Sequence, residues 1–447
     1  MSQPDLLNIL SDLITDAKKA GADAADAIVV DGTSVSVTYR LGKLEQLEGA
    51  EGGDIGLRVL IGKRQAIVSS ADRSREALKE LVERAVAMAR TVPEDPFCGL
   101  AAPEQLAKNL PVLDICDDQD VTAATLIEQA KACEAAALAV KGVTNSEGAS
   151  ASWGKSQVAM AASNGFVRAY SSSGSSLSAS VIAGDSDKGM ETDYDYSAAV
   201  YFADLKRPEK IGATAGERAV RKLGGRKVSS RKVPVIFDAR AARGMVSHLL
   251  GAINGSSVAR GTTFLKDAMN TGVFADHINI FEDPHRNRGL RSKPCDAEGL
   301  ANKRRALIDK GVLTTWILDL RSARQLNLAP TGHATRGTGG PPSPGTTNVW
   351  LEAGALSPTA LMDDIKDGLF VTDLVGQGVN SVTGDYSRGA VGFWIENGKL
   401  TYPVHEVTIA GNLKDMFKHL TPANDLDLLY GIDAPTVRID GMTLAGT

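Results

Sequence analysis

A chain of 447 residues exceeds one ordinary hydrophobic core and predicts two or three domains. Its 43% hydrophobic and 23% charged residues exclude pervasive disorder, and a net charge of −5 leaves no overall basic field to attract nucleic acid. The acidic start MSQPDLLNIL is unlike a signal peptide, no uncharged apolar run reaches about 18 residues, and Cys98, Cys116, Cys133 and Cys295 form no CxxC pair, so a reduced, cytoplasmic protein without a membrane segment is expected.

Leu6, Leu7, Leu10, Leu13, Ile14 and Ala17 recur at three- and four-residue spacing, which predicts an amphipathic helix over 4–20 starting from Ser2 to Pro4. Short alternating or apolar runs at 26–31, 34–40, 56–61 and 65–70 predict antiparallel strands, with turns at Asp31-Gly32 and Gly62-Lys63. Ala77, Leu78, Leu81, Ala85, Val86 and Ala89 share one face of a second helix at 73–91. An alanine-rich helix is expected at 121–141, followed by a meander over 143–203. Its strands 157–161, 165–170 and 176–183 are separated by Asn164-Gly165 and by the serine run Ser171 to Ser173.

After a helix at 208–224 comes the most basic stretch of the chain, with Arg226, Lys227, Arg231 and Lys232, read as a solvated boundary before a buried strand at 233–237. The division that follows is an N-terminal α+β domain over 1–228 and a C-terminal β-rich domain over 229–447. The first is an antiparallel sheet backed by helices, and the second carries one helix at 239–251. Residues 329–348, APTGHATRGTGGPPSPGTTN, are rich in residues that cannot sustain a helix or central strand, and so read as a functional or mobile loop.

Several near-motifs fail on spacing. GASASWGKS, from Gly148 to Ser156, has five residues between its glycines where a phosphate loop needs four, and GQGVNS at 376–381 stops after two glycines. No G-x-S-x-G elbow exists to make a nucleophile of the serine run. His405-Glu406 opens like a zinc helix, but Ile409 stands where its second histidine belongs and PVHEVTIA alternates like a strand. His248, on the helix at 239–251, is followed at one turn by Gly251, Ala252 and Ile253, none of which binds a metal, and its neighbour Leu249 cannot act as a base.

Three long stretches carry a resemblance: ARGTTFLKDAMNTGVFADHINIFEDPH at 259–285, ALIDKGVLTTWILDLRSARQLNLAPTGHATRG at 306–337 and VNSVTGDYSRGAVGFWIENGKLTYPVHEVTIAGNLKDMF at 379–417. The chain resembles the TldD/PmbA family, long described as modulators of DNA gyrase, in its PmbA (TldE) branch. In the TldD branch an HExxxH helix and a later cysteine hold the zinc of a metallopeptidase. The resemblance lays its first histidine on His248, its glutamate on Leu249 and its second histidine on Ile253, and no cysteine follows Cys295.

What it implies is a chain with no catalytic residues and no cofactor of its own, paired with a zinc-holding TldD-like subunit to degrade or trim unfolded peptides, peptide-antibiotic leaders among them. A homodimer in the partner's absence is a further expectation, and neither nucleic acid nor membrane is an expected partner. The loop 329–348, with His333 and Arg336, and the strand 391–398, with Phe393 and Trp394, are the expected lining of the peptide chamber or dimer seam, with core packing the competing expectation for the two aromatics. Two rival readings stand: an independent hydrolase whose His248, His285, His333, Asp385 and Ser387 meet only in the fold, and a gyrase-associated regulator.

Overall fold

Leu6, Leu10, Leu13, Ile14 and Ala17 form the buried face of helix α1 (Gln3–Lys19), and the same spacing buries Leu81, Val82, Ala85, Val86 and Ala89 of α2 (Arg75–Thr91). The computed structural model describes residues 3–186 and 189–446, so Ser2 of the expected helix start lies outside it. Between these helices run β1 (Ala24–Arg40), β2 (Lys43–Ile61) and β3 (Arg64–Ser70). The pattern then repeats with α3 (Ala123–Leu138), β4 (Val143–Ala162), β5 (Val167–Asp185), β6 (Gly189–Ala199) and α4 (Pro208–Arg221). All six strands join one antiparallel sheet in the order β3-β2-β1-β4-β5-β6, with the first strands of the two repeats side by side at its centre.

Successive side chains point to opposite faces, and both faces are used. Ala25, Ala27 and Val29 of β1 pack under α1 and α2, and Val37 further along packs under α3 and α4. The alternate residues Ile28 and Val30 meet Phe166 and Cys295 on the opposite face, where the C-terminal half begins to cover the sheet.

That half is built on β7 (Arg231–Phe237), β8 (Ile280–Asp283), β9 (Arg305–Asp309), β10 (Val312–Leu313), β11 (Ala334–Thr335), β12 (Ser343–Pro344), β13 (Asn348–Leu351), β14 (Asp367–Val375), β15 (Asp385–Glu396), β16 (Lys399–Asn412), β17 (Leu420–Pro422), β18 (Ile432–Asp433) and β19 (Val437–Ala445). The order β16-β15-β14-β7-β19 closes on itself through a β16–β19 pairing, which makes a barrel with β17 attached to β19. A second sheet runs β10-β9-β8-β13-β18. Helix α5 (Ala239–Ala252) packs against strands of both, and its Ala242, Met245, Val246 and Leu249 belong to the largest core of the molecule. The architecture is α+β, with helices on an N-terminal antiparallel sheet and a β-rich C-terminal half.

Three expectations need correcting. Asp31-Gly32 is not a turn but the middle of one long strand, where Gly32 is needed because a Cβ would lie 2.6 Å from the Lys155 carbonyl oxygen. The run Ser171 to Ser173 is likewise inside β5, paired with Gln157, Ser156 and Lys155. The loop 329–348 is anchored at several points: His333, Ala334, Pro342, Pro344, Thr347 and Asn348 are buried, and β11 pairs with β12. Among the described residues no helix is long and apolar enough to cross a membrane.

Candidate functional site

Helix α5 begins where the Asp238 carboxylate accepts the Ala241 amide at 2.8 Å, and burial pushes that carboxyl up to about 6. Its apolar face points into the core, which leaves His248 on the flank against β15. There the imidazole meets the edge of Tyr386, ring centroids 5.9 Å apart and planes at 79°. Its Nε2 is buried without a hydrogen-bond partner, and so is the Tyr386 hydroxyl. Burial, reinforced by the nearby Arg388 cation, pushes the imidazole down to about 4, so it is neutral at physiological pH.

An orphaned imidazole nitrogen is what a metal ligand would look like before its metal is added, so the rest of the donor set decides. Leu249 and Ile253 are fully buried aliphatic side chains, and Arg388 would repel a divalent cation. The residues around His248 therefore do not fit a metal centre. Among the described residues no group of three or more His, Cys, Asp or Glu side chains is gathered as a metal site.

The five groups named for an independent hydrolase are not brought together. His285 pairs with Asn302 at 2.7 Å, and His333 sits between Thr331 and the buried Glu282. Burial alone would raise Glu282, but His333 and the Thr347 donors hold its carboxyl below the usual range. Asp385 is exposed, bonded to Thr383 at 2.6 Å and Asn412 at 3.0 Å, while the Ser387 amide donates to the Gly378 carbonyl. His405 lies on β16, 3.1 Å from Glu191 of β6.

The four candidates for peptide contact are all buried side chains with internal neighbours. Trp394 is 2% exposed in the main core with Arg231 over its ring at 5.2 Å. Phe393 is 7% exposed and forms one wall of a cavity of about 250 Å³ beside Arg221, whose guanidinium lies 4.7 Å from its ring centroid. That cavity lies where the two halves meet. Lys222 and Arg240 each pair with both Asp193 of β6 and Asp373 of β14, at 2.5 to 2.9 Å, so its charges answer one another.

Arg336 occupies a second interdomain cluster. Asp26 of β1 accepts from both Arg58 of β2 and Arg336 of the loop, all three side chains being less than a tenth exposed. Burial alone would raise the Asp26 carboxyl, but the two arginines outweigh it and hold it below the ordinary range. Glu298, beside them, is helped less: burial, with Asp296 adding repulsion, outweighs the Leu320 amide and the Arg58 cation and pushes it up to about 8. The group lines a cavity of about 10 Å³, room for one water molecule. Sequence reasoning missed Tyr386 and Arg388 beside His248, because a phenol and a guanidinium on a strand carry no spacing signal toward a helix far upstream.

Comparison with known proteins places these features. The PmbA/TldA metallopeptidase family matches in three segments: domain 1 over 25–89, the central domain over 116–223 and the C-terminal domain over 230–446. The first two segments fall on the two repeats of the N-terminal sheet, the first leaving out α1. Among curated proteins the chain is 40% identical to the Metalloprotease PmbA of Escherichia coli O157:H7, covering 95% of this chain and 93% of that one. It is 38% identical to the Metalloprotease PmbA homolog of Haemophilus influenzae, covering 99% and 97%. Among solved structures, a candidate modulator of DNA gyrase from Bacteroides thetaiotaomicron superposes with a TM-score of 0.91 at 28% identity, over 98% of both chains. TldE from Thermococcus kodakarensis shares the fold, with a TM-score of 0.85 at 21% identity over 98% of this chain and 100% of that one.

Proposed function

The chain belongs to the PmbA/TldD metallopeptidase family, and from that premise we propose that it serves as the non-catalytic subunit of a two-chain zinc peptidase acting on unfolded peptides. The observation that supports this most is the state of α5: where the family's catalytic helix would present a base and a second ligand, this chain has Leu249 and Ile253, both fully buried in the core. The remaining His248 is neutral, faces Tyr386 and lies near a cation. In this reading a TldD-like partner holds the zinc, whose chemistry is to activate water for attack on a peptide bond. This chain shapes the space in which an extended peptide is held and supplies no reacting group.

The test is purification of the chain alone and together with a TldD-like chain, with zinc content and hydrolysis of an unfolded peptide measured on both. Hydrolysis only by the pair, with zinc absent from the single chain, is the expected result. The names of the relatives favour a second reading, in which the chain is itself a metalloprotease. Stoichiometric zinc and turnover by the single chain would decide for it.

A further inference from the structure

The two repeats of the N-terminal sheet differ in one respect. In each, the third strand is too short to cover the whole of the second. β3 pairs with β2 only over 55–61, and β6 pairs with β5 only over 175–185. Each second strand therefore has an outer stretch near its first turn that its own repeat leaves without a neighbour. In the second repeat that stretch, 167–174, is covered by an extended segment of the same chain. The Ser173 amide donates to the Ile115 carbonyl at 3.0 Å, the Asp117 amide to the Ser173 hydroxyl at 2.7 Å, and Arg168 to the Pro111 carbonyl at 3.2 Å. In the first repeat the equivalent stretch, 43–54, pairs only with β1 among the described residues, and residues 41–52 are exposed without a break.

This bare edge is blunted by charge but neither by proline nor by a covering segment. It is long and carries no proline, and it shows solvent three large apolar side chains: Leu41, Leu44 and Leu47 are 54%, 43% and 52% exposed. Leu47 lies opposite Val37 and Leu44 opposite Tyr39, and these two β1 residues pack under α3 and α4. Leu44 and Leu47 thus extend that apolar face along the hairpin, and α3 reaches only the turn beside them, where its Glu134 accepts the Leu41 and Gly42 amides. The charge of the stretch is one-sided, with Lys43 against Glu45, Glu48, Glu51 and Asp54, of which Glu45 lies 3.6 Å from Arg40.

We infer that β2 over 43–54 is a docking edge for an extended segment of a partner chain that carries lysine or arginine, added as a strand at the position that residues 111–117 occupy beside the other repeat. The edge supplies main-chain donors and acceptors from every second residue, the leucines supply an apolar contact, and the acidic side chains, spread over both faces of the strand, select a basic partner. A second copy of this chain laid edge to edge would bring like charges together, which disfavours it. The inference goes beyond the peptidase-subunit reading, and its test needs no peptidase, so either can fail while the other stands.

The probes are two capped ten-residue peptides, one alternating lysine with valine and the other glutamate with valine, titrated by fluorescence anisotropy against the full chain and against Glu45→Lys/Glu48→Lys/Glu51→Lys. The lysine peptide should bind at least about tenfold tighter than the glutamate peptide, with its advantage shrinking at high salt. The triple variant should reverse the order while keeping its circular dichroism and Tm, because all three side chains are exposed. Amide exchange should slow within 43–54 when the lysine peptide is bound. Equal affinity for the two peptides, no binding at millimolar concentration, or an unchanged preference in the triple variant would overturn the proposal. A homodimer whose formation protects 43–54 in the absence of any peptide would overturn it as well, by assigning the edge to a second copy.

Discussion

At the scale of single residues, His248 carries a hydrogen-bonding atom that the fold does not satisfy. Its Nε2 is buried without a partner, and an unmade hydrogen bond of that kind costs about 1 to 3 kcal/mol. Replacing the ring by one of similar shape and no polar atoms should remove that cost, so His248→Phe should raise stability at neutral pH by about 1 kcal/mol. Protonation is disfavoured in the folded chain, because its pKa of about 4 lies below the ordinary histidine value. The stabilising effect is therefore full above the ordinary value and is lost as pH falls toward 4. In the Phe variant the loss of Tm between neutral and mildly acidic buffer should be smaller than in the wild type. A Tm at neutral pH several degrees below wild type, or an unchanged acid sensitivity, would show that the imidazole makes a contact of value in the native state.

At the scale of elements, α3 and α4 show why a glycine sits inside a helix. A Cβ on Gly212 would lie 2.0 Å from the Cys133 carbonyl oxygen, and one on Gly216 would lie 2.7 Å from a Val140 methyl. Alanine is the better helix former by about 1 kcal/mol, but the clash at Gly212 is with backbone that cannot swing aside, and overpacking of that kind costs about 1 to 3 kcal/mol. Gly212→Ala should accordingly lower the denaturation midpoint, and a rise would show that α3 slides freely on α4. The long helices α1 to α5 are readable in the sequence to within a few residues because each has a solvent face and a core face, so periodicity reports it, whereas the short helices at 255–259, 320–325 and 413–418 are not. The strands were read too short for the same physical reason. The stretch 43–54 is exposed on both faces and has no alternation to detect, and 171–176 is all serine and glycine held by its neighbours on either side. The duplication of helix, three strands and helix was likewise invisible, since it is a likeness of topology rather than of residues.

At the scale of the whole molecule, the two halves are joined by buried charge, and the arithmetic of that charge decides which member matters most. Asp26, Arg58 and Arg336 come from β1, β2 and the loop after β11, and Arg336 is 310 residues from Asp26, beyond any pattern a sequence displays. The one carboxylate answers two guanidinium groups, so the two kinds of member are not equivalent. Arg336→Met removes a cation and leaves Asp26 paired with Arg58 in balance, and an apolar side chain in such a place is often tolerated. Asp26→Asn leaves two buried cations without their counter-ion, a change that typically costs about 3 to 5 kcal/mol. Glu298 lines the same cavity, but burial and Asp296 keep it largely protonated near neutral pH, so it replaces the lost charge only by ionising against those two effects. The expected order of stability in urea is therefore wild type and Arg336→Met close together, with Asp26→Asn far below. Asp26→Asn should regain part of its loss as pH rises and Glu298 becomes the counter-ion. Equal destabilisation by the two substitutions would mean that the loop and the sheet are held by packing, and that the ion pair only accompanies it.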